Sequence, residues 1–161
     1  MARLSGKELK FAQEVNIAID FAVFAQAEHA SDMLCAIIPP DYIPGERLRV
    51  ETYRRLAQIE TLDDLDDLKA ELADRFGRLP KELLNLFEIT SLRIMGQMAN
   101  LKNISVVDGT VILQTLDGEV YRESNGKRPT LDYRDPPALR MAHLKNILNK
   151  AIKRYSNAAT T

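Results

Sequence analysis

At 161 residues and 45% hydrophobic content, the chain has the size and apolar surface of one globular domain with a single packed core. Its 22 Lys and Arg stand against 23 Asp and Glu, a formal net charge of −1, so the whole lacks the positive field that non-specific phosphate binding requires. No apolar run approaches the roughly 20 residues of a membrane-spanning helix and no secretory signal is present, while the lone Cys35 excludes an internal disulfide and fits a reduced, buried thiol in the cytoplasm.

Residues 1–14 are polar and charged, with few apolar positions, and read as an N-terminal arm or a frayed helix. From Val15 the pattern alternates. Val15, Ile17, Ile19, Phe21 and Val23 share one face and Asn16, Ala18, Asp20 and Ala22 the other, as in a half-buried strand. A second strand is expected from Met33 to Ile38, stopped by Pro39 and Pro40, and the two are expected to pair as an antiparallel ribbon.

Pro44 and Gly45 then precede a helix over about 46–58, with Leu48, Tyr53 and Leu56 on its apolar stripe and Arg47, Glu51 and Arg55 on a solvated face. The next helix is the clearest element. Thr61 caps it, Asp63, Asp64, Asp66 and Asp67 crowd its positive end, Leu62, Leu65, Leu68, Leu72 and Phe76 recur at helical spacing, and Gly77 ends it. Pro80 opens a third helix through Leu83, Phe87, Leu92, Met95 and Met98 to about 101.

Beyond it the alternation returns. Segments 104–107, 111–114 and 119–122, divided by Asp108-Gly109 and Asp117-Gly118, predict a three-stranded meander. Residues 124–127 read as a polar loop and 130–133 as one more strand. Asp135-Pro136-Pro137 starts a last helix that buries Leu139, Met141 or Ala142, Leu144, Ile147, Leu148 and Ile152, and 156–161 read as a disordered tail. The predicted fold is α+β: a small antiparallel sheet packed with a three-helix block and a C-terminal helix, in one domain over 15–155.

Known chemistries find no support. Gly6-Lys7 is followed by Glu8 and Gly126-Lys127 by Arg128, so neither is a phosphate-binding loop. His29 and His143, with one cysteine, give no zinc-ligand spacing, and no nucleophile elbow is present. No catalytic, cofactor or metal residue is therefore assigned.

Charge is the remaining signal. The helix dipole accounts for Asp63 to Asp67, but Glu71 and Asp74 share a face in the last two turns, where a carboxylate opposes the dipole. Either Arg75 or Arg78 neutralises them locally, or they receive arginines from a partner. A second candidate is the basic C-terminal third, with Arg122, Lys127, Arg128, Arg134, Arg140, Lys145, Lys150, Lys153 and Arg154, which would serve a nucleic-acid-binding accessory domain although no aromatic residues are interleaved to stack on bases.

Two stretches carry a family resemblance. Ile38-Pro39-Pro40-Asp41-Tyr42-Ile43-Pro44, continuing to Tyr53-Arg54-Arg55-Leu56-Ala57, and Glu71-Leu72-Ala73-Asp74-Arg75-Phe76-Gly77-Arg78-Leu79-Pro80 resemble, in order and separation, the C-terminal domain of bacterial transcription-repair coupling factors. The resemblance is good over 38–101. Residues 25–34 depart from it as an insertion, and beyond Gly118 the family commonly carries a helix where this sequence reads as a short strand and a loop.

The resemblance implies a non-catalytic regulatory domain of an ATP- and Mg-using DNA translocase that displaces stalled RNA polymerase and recruits UvrA. In that family this domain packs on a UvrB-like module of the same polypeptide and hides the surface UvrA needs. The family's clamp carboxylates fall on Glu71 and Asp74. No cofactor is implied for this chain itself.

Overall fold

The computed structural model of the chain describes residues 14–25 and 33–160, with side chains as far as Ser156. Apart from Glu14, the arm at 1–14 lies outside the described residues, as do His29 and most of the 25–34 insertion.

The middle of the chain is the three-helix block: α1 (Glu46–Gln58), α2 (Leu62–Phe76) and α3 (Lys81–Met98). Local signals set their limits. The Thr61 hydroxyl accepts from the Asp64 amide at 3.0 Å, satisfying one of the orphan donors at the start of α2. Pro80 enters α3 where a missing donor costs nothing, and its carbonyl accepts from the Leu84 amide. A left-handed Asn100 (φ 57°) then turns the chain from α3 into β4 (Leu101–Val107), so the strand starts three residues before the alternation alone places it.

The strands form two small sheets. β1 (Asn16–Ile19) runs parallel to β4, and β4 pairs antiparallel with β5 (Thr110–Thr115) through the Asp108-Gly109 hairpin, both of whose residues have positive φ. β2 (Ala22–Val23) runs parallel to β3 (Leu34–Cys35). The fold is α+β as expected, with a mixed sheet. The antiparallel ribbon is corrected: the long strand breaks at Asp20, whose carboxylate accepts from the Asp108 amide at 2.8 Å, and beyond the break the chain leaves β4 for β3.

The meander's third strand is also shorter than expected. It reduces to a bridge between Gln114 and Val120, because the Glu123 to Lys127 turn draws the chain away, and the strand at 130–133 reduces to a bridge between Thr110 and Thr130. Both bridges fall on β5, whose outer edge they cover. No helix lies between Gly118 and Pro137.

α4 (Pro137–Thr160) closes the fold and extends past Ser156, where a disordered tail is expected from sequence; the Ser156 hydroxyl donates to the Met98 carbonyl at 2.8 Å and holds that turn against α3. Met141, not Ala142, faces the core, and Leu139 is exposed. α3 is the wall between two cores. Leu92 and Met95 pack with Ile104, Val111, Leu113, Leu144 and Leu148, while Leu83, Phe87 and Ile94 pack with Ile38, Ile43, Leu56, Leu65, Leu68 and Leu72. The second core is the floor on which α2 presents its polar face.

Candidate docking face

α2 buries Leu65, Leu68 and Leu72, and so turns its carboxylates outward. Asp64, Asp67, Glu71 and Asp74 follow one another at three- and four-residue spacing, a single line along the helix. Its far end is built with care. Gly77 takes φ 91°, a backbone that glycine alone holds without strain, and its amide donates to the Ala73 carbonyl at 2.9 Å. The Tyr42 hydroxyl shares its proton between the carbonyls of Gly77 (2.7 Å) and Leu72 (3.1 Å), and its ring packs on Phe76. The two family-like stretches are therefore one physical unit.

Glu71 and Asp74 differ in what surrounds them. Both Glu71 oxygens accept from Arg55 of α1, Nη1 to Oε2 at 2.5 Å and Nη2 to Oε1 at 2.9 Å, and Arg75 stands 4.0 Å from Oε2 while its guanidinium lies over the Phe76 ring. The fork of Arg55 holds the Glu71 carboxyl below the ordinary glutamate range and raises Arg55 in return. Asp74 is exposed and, among the described residues, makes no ion pair or hydrogen bond; Arg78 likewise has no ion pair there. Of the two local cations expected to neutralise the pair, Arg75 only approaches Glu71. The cation that pairs with Glu71, Arg55, lies on another helix, and it leaves Asp74 unpaired among the described residues.

Between α1 and α2 a groove of about 350 Å³ is lined by Arg55, Gln58, Ile59, Asp64, Asp67, Leu68 and Glu71. Its α1 wall is tied from below: half-buried Arg93 of α3 donates through Nη2 to the carbonyls of Leu56 (2.9 Å) and Ile59 (2.8 Å), which end α1. Burial pushes that guanidinium down from its ordinary value. Helical spacing singles out neither Arg93 nor Arg55 for these contacts.

Part of the basic C-terminal third is engaged within the fold, while Arg122, Lys127, Arg128, Arg134, Lys150, Lys153 and Arg154 stay exposed. Arg140 is only 5% exposed and lies over the Phe21 ring at 4.6 Å; Lys145 meets Glu88 at 2.7 Å; Arg154 stacks on Tyr121 and donates to the Arg122 carbonyl. Arg134 forks onto Asp132, and Lys150 lies 3.8 Å from Glu123. Elsewhere, the buried Cys35 thiol donates to the Ala25 carbonyl, burial raises its pKa, and His143 faces Asp135 at 3.6 Å. Among the described residues no group of three His, Cys, Asp or Glu side chains could hold a metal ion, and no helix is long and apolar enough to cross a membrane.

The TRCF domain family model matches residues 33–123, more than half of the chain. The chain belongs to the TRCF domain family. That match spans α1, α2, α3, β4 and β5, with Arg55, Glu71 and Asp74 inside it. A transcription-repair-coupling factor of Haemophilus influenzae is 42% identical over 69 residues, covering 43% of this chain and 6% of the relative. One from Staphylococcus aureus is 31% identical over 94 residues, covering 54% of this chain and 8% of the relative. The TRCF domain chain thus spans less than a tenth of the length of either curated relative. A crystal structure described as the C-terminal domain of transcription-repair coupling factor superposes with a TM-score of 0.64 at 16% identity, over 91% of this chain and 97% of that one, a likeness of fold.

Proposed function

We propose that this TRCF domain is the non-catalytic C-terminal regulatory module of a transcription-repair coupling factor, acting in the cytoplasm. The acidic face of α2 docks on arginines of a UvrB-like module in the same polypeptide and withholds the surface that recruits UvrA until the motor engages RNA polymerase on DNA. ATP and Mg serve the motor, outside this chain.

The observation that carries the reading is Asp74: an exposed carboxylate at the negative end of a helix, where helix electrostatics disfavour it, with no cation in contact among the described residues. Glu71 supports it one turn earlier, at the surface though already paired with Arg55. Where such a contact is desolvated, losing the carboxylate costs about 2 to 5 kcal/mol of docking because an arginine is left unpaired.

The test is Glu71→Ala with Asp74→Ala in the full-length protein. UvrA binding should rise while the melting temperature of the isolated chain moves little, and unchanged UvrA affinity sinks the proposal. The alternative is DNA held by the basic C-terminal third, of which Arg140 and Lys145 are engaged within the fold; salt-sensitive DNA binding by the isolated chain, weakened by replacing Lys150 and Arg154, would favour it.

A further inference from the structure

Resting on that reading, we infer that Arg55 is a built-in competitor for the partner's guanidinium, so that docking at Glu71 proceeds by exchange of one arginine for another. Both Glu71 oxygens are taken by the Arg55 fork, and Arg75 stands 4.0 Å from one of them, so an incoming cation meets two like charges before it meets a carboxylate. Asp74 presents no such barrier.

The competitor is also cheap to displace. The Arg55 and Glu71 side chains are 48% and 40% exposed; α1 and α2 share one apolar core through Leu56, Leu65 and Leu68, and Arg93 separately ties the end of α1 to α3. The pair is not what joins the helices. An exposed ion pair of this kind shifts an equilibrium by only about 1.5- to 5-fold, enough to tune docking without preventing it. Asp74 then makes the first contact and Glu71 is handed over second, leaving Arg55 free at the rim of the groove. A regulatory contact that must be released gains from a competitor held one side-chain rotation away.

The experiment titrates a separately expressed UvrB-like module with the 161-residue chain at low ionic strength. Arg55→Gln should tighten binding about 1.5- to 5-fold, and the gain should vanish when Glu71→Gln is also present. Arg55→Lys, which keeps the charge but loses the two-pronged fork, should fall between. Melting curves confirm that each variant is folded, and the lysine variant retains the test if the glutamine one is not.

If Asp74→Asn weakens binding but Arg55→Gln leaves it unchanged or weaker, the exchange is overturned and the docking reading stands. If Asp74→Asn and Glu71→Gln are both silent, the two fall together.

Discussion

Tyr42 donates its hydroxyl to the Gly77 carbonyl across 2.7 Å, tying the Ile-Pro segment to the end of the acidic helix. The same proton is shared with the Leu72 carbonyl, so one side chain grips two carbonyls at the end of α2. Burial raises the Tyr42 pKa, and the hydroxyl remains a donor.

Tyr42→Phe keeps the ring on Phe76 and removes only this tie. A loss of about 0.5 to 1.5 kcal/mol in stability is expected, with faster hydrogen exchange at the amides of Gly77 and its neighbours. Exchange rates unchanged from the parent would show that Gly77 and the helix hold the turn by themselves.

Arg93 plays the matching part at the end of α1. Replacing it with Met keeps the stem but strips the donors from the Leu56 and Ile59 carbonyls. Urea unfolding should show a loss of about 1 to 3 kcal/mol, with Arg93→Lys in between because a single ammonium cannot copy the planar group. A Met variant as stable as the parent would mean that water replaces the guanidinium without loss.

The helices were legible because their instructions are local. Thr61 and Gly77 cap one helix, Pro80 opens the next, and Leu65, Leu68 and Leu72 repeat within a few residues of each other. The sheet was not, because β1 finds β4 across most of the chain: Asn16 lies beside Asn103 and donates to its side-chain oxygen. Nothing in an alternating pattern states whether a strand's partner runs parallel or antiparallel. The docking face was half legible for the same reason. Spacing along one helix pairs Glu71 with Asp74 and points to Arg75, whereas Arg55 reaches Glu71 only once α1 and α2 have packed.

Gly96 is a further feature that spacing does not reveal. It sits inside α3, where glycine costs about 1 kcal/mol relative to alanine, yet a Cβ there would lie 3.0 Å from Ile104 Cδ1 and 3.0 Å from Val15 Cγ1. The helix approaches the sheet this closely only because the position is bare. Val15 is β-branched and two of its methyls face the site, so rotation offers little relief. Overpacking of about 1 to 3 kcal/mol set against the gain in helix propensity gives a net loss of up to about 2 kcal/mol for Gly96→Ala. A stabilised variant in thermal melts would show that the β1 end yields.

The Arg55 fork has a signature in acid. Glu71 is held below its ordinary 4.5 by Arg55 first and by Arg75 to a lesser degree. A depressed carboxyl adds stability that is present above its unfolded value and disappears as pH falls through the folded one, so the contribution should fade on acidification below about 4.5. Carboxyl NMR titration should place Glu71 below the ordinary glutamate value, and Arg55→Gln should bring it back up toward that value. Asp132, held at about 2 by its own fork from Arg134, is the internal control and should not move. If Glu71 keeps its low value without Arg55, the ion pair is not what protects the carboxylate, and an arginine arriving from outside would have nothing to displace.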